Sequence, residues 1–166
     1  MKLKIITIFV FALSLLGCTT SDKPKISSET PYPTIDTFYC SIKSIEKKSD
    51  YYDVKLDRID FLFSDAAQKA MIEDGLLEKD EWPLNDYYLR NKEIVIENFK
   101  FDNSVQIIMQ TYSHNDEGEF NWNQTISIAD FLKVFDRTDG VNYINHPFNI
   151  ICNGNKILVI KERYIP

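Results

Sequence analysis

The apolar pattern divides the chain into three parts. Residues 5–16 form an apolar run broken only by Thr7 and Ser14 and preceded by Lys2 and Lys4. The run is shorter than the roughly 20 apolar residues of a membrane-spanning helix and has the length of a secretory signal's apolar segment. Residues 19–34 have no apolar period and contain three prolines, a composition that stays extended as a linker. From Ile35 the pattern changes again. Phe38, Cys40 and Ile42 alternate with Tyr39, Ser41 and Lys43, and Tyr52, Val54 and Leu56 alternate with Asp53, Lys55 and Asp57. Alternation of this kind predicts two half-buried strands joined as a hairpin.

Further elements follow from local signals. Ser64 is an expected helix N-cap with Asp65 in the first turn, Ala66, Ala67, Ala70 and Met71 form a short apolar face, and Gly75 is the expected stop. Residues 78–86 read as an acidic loop around Trp82-Pro83, and strands are expected at 87–89, 94–96 and 105–112. Residues 113–118 read as a turn. Ser127 with Asp130 three residues on is a capping-box pattern, followed by Phe131, Leu132, Val134 and Phe135, with Asp139-Gly140 as the expected end. Residues 148–152 and 156–163 form an expected hairpin, with Asn153-Gly154 supplying the positive dihedrals of a type I′ turn. The expected fold class is α+β: a mainly antiparallel sheet with two short helices, closed as a small barrel of the oligonucleotide/oligosaccharide-binding (OB) type or left as a curved sheet.

The N-terminal run ends in Leu15-Leu16-Gly17-Cys18. This resembles the lipobox of bacterial lipoproteins. The resemblance implies cleavage after Gly17, acyl chains on Cys18, and tethering to the extracytoplasmic face of a membrane, the outer one if the cell has two. The expected organisation is a signal peptide over residues 1–17, a lipidated Cys18 with a linker through residue 34, and one globular domain over 35–166. A second resemblance runs through residues 66–75, ending Ile72-Glu73-Asp74-Gly75, through residues 85–91, and through the closing Glu162-Arg163-Tyr164. These are similar to segments of small uncharacterised bacterial exported proteins, and they imply no activity.

Charge narrows the function classes. The whole chain carries a formal net charge of −6, and loss of Lys2 and Lys4 makes it more negative. No basic stripe is present, so nucleic acid is not an expected partner. The lipid bilayer is expected to be met through the acyl chains on Cys18 alone. The remaining partner classes are an envelope protein, a peptide or a glycan.

Catalytic signatures are missing from the pattern. His114 and His146 stand alone in loops and read as solvated residues. Neither has a second histidine at zinc-ligand spacing, and no phosphate loop or nucleophile elbow occurs. No metal site or cofactor is expected. The acidic stretch from Asp57 to Asp86 and the loop 113–124 fit no EF-hand and read as solvated faces. Cys40 and Cys152 share strand faces with apolar neighbours and read as buried, and as the pair left after lipidation they are disulfide candidates. Tyr51, Trp82, Tyr87, Tyr88 and Trp122 are candidate binding-surface aromatics. The expected function is a membrane-anchored, non-catalytic binding module of the envelope; an envelope hydrolase with paired carboxylates is the alternative.

Overall fold

The structure, a computed structural model, describes residues 34–136 and 143–165. Cys18, the signal segment and the linker up to residue 33 lie outside the described residues, as does the expected helix end at Asp139-Gly140. Among the described residues no helix is long and apolar enough to cross a membrane.

The elements are β1 (Ile35–Lys47), β2 (Tyr52–Phe63), α1 (Ser64–Glu73), β3 (Tyr87–Arg90), β4 (Ile96–Phe101), β5 (Gln106–Met109), β6 (Gln124–Ile126), α2 (Ile128–Phe135), β7 (Pro147–Asn153) and β8 (Lys156–Glu162). The mainly-β, two-helix class read from the pattern is the one observed. β1 pairs antiparallel with β2 and with β7, β7 with β8, and β2 with β4. A parallel contact between β4 and β8, Lys100 opposite Lys156, completes the circuit β1-β2-β4-β8-β7. A single pair closes the ring, so the barrel is partly open there, as in the OB type. β5 continues the course of β4 and runs parallel to β8, and β6 pairs antiparallel with β5. β3 pairs with the far end of β2.

Alternation decides what lies inside. Cys40 and Ile42 of β1, Val54 and Leu56 of β2, Phe148, Ile150 and Cys152 of β7, and Ile157 and Ile160 of β8 are all buried together. α2 adds Phe131, Val134 and Phe135 to this core, with the Phe131 ring edge-on to Phe148 at 5.9 Å. The helix starts where the cap predicts: Ser127 Oγ accepts from the Asp130 backbone N–H at 3.1 Å. It stops at Phe135, earlier than the expected Asp139-Gly140, with the Asp136 N–H closing on the Leu132 carbonyl.

α1 departs from its expected start. Ser64 has a positive φ of 47° and caps nothing; its hydroxyl donates to Asp86 and its N–H meets the Asp86 carbonyl. Its expected end is observed. The Gly75 N–H reaches the Ile72 carbonyl and the Leu76 N–H reaches Met71, the Schellman pattern that a left-handed residue at Gly75 permits. Residues 94 and 95 are loop, with β4 beginning at Ile96. The reason is Asp57, fully buried, whose carboxylate accepts from the Val95 N–H at 3.0 Å and from Asn91 Nδ2 at 2.8 Å. Lys43, the extra residue of a bulge in β1, stands 3.4 Å from the same carboxylate.

The final turn falls within the expected residues 153–155, with Asn153 taken into the strand. Asn153 pairs with Lys156, so the loop is Gly154-Asn155. Gly154 has φ +57° while Asn155 is not in the positive-φ region, which is the type II′ pattern in place of I′. The disulfide candidate is also corrected. Cys40 stands opposite Phe148 and Cys152 opposite Asp36, an offset of four positions or about 13 Å along the strand. A bridge needs Cα atoms within about 7 Å. Both thiols are free and buried, and burial raises the pKa of each.

Candidate functional site

The outward face of the sheet carries one row of side chains across four strands. Tyr39 of β1 is opposite Asn149 of β7, Asn149 is opposite Lys161 of β8, and Lys161 is opposite Ile108 of β5. A groove of about 480 Å³ opens over this row. That volume lies in the range of small-molecule and saccharide sites. Its other wall is the segment after β5, which brings Gln110, Trp122 and Asn123, and the end of the chain brings Glu162, Arg163 and Tyr164.

The aromatic wall is a built feature. The rings of Trp122 and Tyr164 meet edge to face at 5.1 Å, and Phe120 touches both, at 5.8 and 5.9 Å. Trp122 is 53% exposed despite these contacts. The hairpin carrying it is closely tied. Asn115 Oδ1 accepts from the N–H groups of Glu117 and Glu119, the Asn121 N–H donates to Ser113, and Ser113 Oγ donates to Gln124. Gly118, at φ +86°, makes the tip. His114 pairs across this hairpin with Phe120, ring on ring at 4.4 Å, and is exposed.

Under the groove lies a buried polar cluster. Glu162 faces inward with Phe148 and is 1% exposed. Its carboxylate accepts from the Gln110 N–H at 2.5 Å, the Thr111 N–H at 2.9 Å and Thr111 Oγ1 at 2.5 Å. A carboxylate cannot donate, so the Thr111 hydroxyl gives its proton to Glu162 and accepts the one from Tyr143, 2.9 Å away. His146 Nε2 lies 3.2 Å from the other side of the pair at Oε1, close but not aligned as a hydrogen bond. Burial pushes the Glu162 pKa up; His146, Thr111 and the two backbone donors outweigh it, and the net shift is downward. The reading of His146 as a solvated loop residue is therefore corrected. It is 7% exposed and packed between Tyr143 and Phe148.

This cluster positions the groove wall. With β5 ended at Met109, earlier than the expected 112, Glu162 captures the next two N–H groups and fixes where the chain turns away. The Gln110 side chain then holds Asn123 twice: Nε2 donates to Asn123 Oδ1 at 3.3 Å, and the Asn123 N–H donates to Oε1 at 3.2 Å. Asn123 has φ +57°, an uncommon backbone state that the two bonds hold. Trp122 is its neighbour.

The expected aromatic candidates do not form one surface. Of Trp82, Tyr87, Tyr88 and Trp122, the groove includes Trp122 alone. Tyr87 packs edge-on to Phe61 at 5.6 Å. Tyr88 donates its hydroxyl to Asp74, which is also held by Arg90, so that ring belongs to an ion-pair cluster with Glu73. Arg90 and then Tyr88 lower the Asp74 pKa, and burial and then Asp74 raise that of Tyr88. Trp82 is 56% exposed on the acidic loop. Tyr51 lines a smaller hollow of about 250 Å³ with Asp50, Lys100, Asp102 and Lys156. The acidic stretch is divided among Asp57, the Arg90 cluster and free surface, and among the described residues no group of three or more His, Cys, Asp or Glu could hold a metal ion. Tyr39, Gln110, Asn123, Asn149 and Lys161 were not singled out as site residues by the sequence pattern, and Glu162, Arg163 and Tyr164 entered only as the closing segment of a resemblance that implied no activity. Only the outward phase of positions 39, 149 and 161 was available to find them.

Comparison of the chain with protein-family models, curated proteins and solved structures yields no match.

Proposed function

We propose that this chain is an exported lipoprotein, held at a membrane by acyl chains on Cys18, whose barrel binds a glycan strand of the cell envelope in the groove over Tyr39, Asn149 and Lys161. The observation that carries the glycan reading is the exposed Trp122 ring, braced edge to face by Tyr164, beside amide side chains in one 480 Å³ groove. A sugar ring has an apolar C–H face and a polar rim. Aromatic rings suit the first by dispersion contact, and amides suit the second by hydrogen bonding. The Asn149 side chain makes no hydrogen bond within the described residues, which leaves its donors and acceptor for a ligand.

The groove favours binding over hydrolysis. Carboxylate-dependent glycosidases place two carboxyl groups on either side of the bond they cut. The lining here has one, Glu162, whose oxygens already accept three bonds from Gln110 and Thr111.

The test is co-sedimentation of the full chain, kept in detergent micelles, with purified cell-wall sacculi. Saturable pelleting is expected. Trp122→Ala should weaken it about tenfold, equivalent to about 1.4 kcal/mol, and Trp82→Ala should leave it unchanged. Pelleting that is lost with Trp82 and kept without Trp122 would place the ligand elsewhere.

A further inference from the structure

The charge of the groove is opposite to that of the chain. Three charged residues line it: Lys161, Glu162 and Arg163. The Glu162 carboxylate is turned inward and consumed by the hydrogen bonds of Gln110 and Thr111, with His146 beside it. Lys161 and Arg163 have no carboxylate partner among the described residues. Lys161 shares this with several other described lysines, whereas Arg163 is set apart from the other described arginines in a protein with 25 Asp and Glu against 19 Lys and Arg. The other two described arginines are each bound by two acids: Arg58 by Asp36 and Glu97, and Arg90 by Glu73 and Asp74. Arg163 instead stands over a pair of touching rings, its guanidinium carbon 5.2 Å from the centroids of both Phe61 and Phe63. A ring face orients the guanidinium without neutralising it or occupying all of its N–H donors. Two cations are thus left uncompensated in a groove they share with amide and aromatic side chains, where they would draw a ligand of opposite charge.

We infer that the groove selects an acidic glycan, one whose sugar units carry a carboxylate, with Lys161 and Arg163 receiving that charge while Trp122 and Tyr164 hold the ring. The inference rests on the glycan reading above and specifies the ligand class for the same groove. Arg163 supplies paired N–H donors suited to a carboxylate, and Lys161 supplies a point charge beside it. Specificity follows from the difference between ligands: a neutral strand offers the two cations hydroxyls only, whereas a carboxylate adds charge and accepts the stronger, charge-assisted bonds.

The test uses cell-wall glycan strands stripped of their peptides, so that the lactyl carboxylates are free, and the same strands after those carboxylates are converted to methylamides. Binding of the full chain in detergent to each is measured by calorimetry. The free-carboxylate strands should bind at least tenfold more tightly, and raising the salt should reduce that preference. In the Lys161→Gln, Arg163→Gln double variant the preference should fall below threefold. Lys161→Arg, which keeps the charge, should retain it, and the double variant should still bind the methylamide strands as the wild type does, which separates a lost charge from a folding defect. Equal binding of the two strands overturns the charge inference and leaves the glycan reading standing. Binding of neither overturns both. A preference that survives the double variant assigns the charge to other residues and overturns the roles of Lys161 and Arg163.

Discussion

Replacing Glu162 with Gln should destabilise the domain by about 1–3 kcal/mol, the usual cost of leaving a buried donor without its acceptor. Three donors and His146 converge on this carboxylate. An amide can offer one acceptor oxygen to that set, and its NH₂ would point at N–H groups that also donate. The loss is large against a total stability of roughly 5–15 kcal/mol. It should appear as a fall in Tm of about 4–12 °C for a domain of this size, or as a lower urea midpoint with an unchanged slope. Its pH dependence follows from the lowered Glu162 pKa. A carboxylate whose folded pKa is depressed contributes stability fully above its unfolded value, about 4.3 for Glu, and that contribution disappears as pH falls through the folded value. The gap between wild type and Glu162→Gln should therefore be constant near neutrality and narrow below about pH 4. A gap independent of pH down to full acid unfolding would mean that the carboxylate charge is not what Gln110 and Thr111 require.

Cys18→Ser should move the protein from the membrane fraction to the soluble one almost completely. Acyl chains contribute about 0.8 kcal/mol per buried methylene, and one short chain gives only marginal binding, whereas two or three on one residue hold durably. No described helix offers a second way to cross the bilayer, and the negative charge of the chain opposes adsorption to anionic headgroups. The circular dichroism of the released protein should match that of the wild type, because residues 33–166 form their own compact unit. Metabolic labelling with a radioactive fatty acid gives the same test at the atom concerned. A Cys18→Ser protein that stays with the membrane removes the lipoprotein proposal.

Both hairpins of the barrel were legible because each strand has one wet face. Phe38, Cys40 and Ile42 alternate as they do in space, and so do Phe148, Ile150 and Cys152. The turn between β7 and β8 lies where it was expected but is of the other type, because Asn-Gly is a local signal while register is not local. A shift in pairing between Ile151 and Cys152 puts Asn153 opposite Lys156 and leaves Gly154 first in the loop. Glu162 shows a different limit. At the end of an alternating strand a charged residue reads as solvent-facing, and its inward place depends on Gln110 and Thr111, about fifty residues away in sequence. His146 was misread for the same reason, since its burial comes from Glu162 and from the rings on either side. The groove itself draws on β1, β7, β8, the stretch after β5 and the last residues described. No local pattern spans those segments, and of the aromatics marked beforehand only Trp122 reaches it.

The chain contains two tryptophans, Trp82 and Trp122, and this makes the central claim open to one direct measurement. In a Trp82→Phe protein the emission comes from Trp122 alone. Titration with peptide-stripped cell-wall glycan strands should change that emission in a saturable way as the ring is covered, while a Trp122→Phe protein, reporting from Trp82, should show no change. A response from Trp82 with silence from Trp122, or silence from both, would contradict a glycan groove at this face of the barrel.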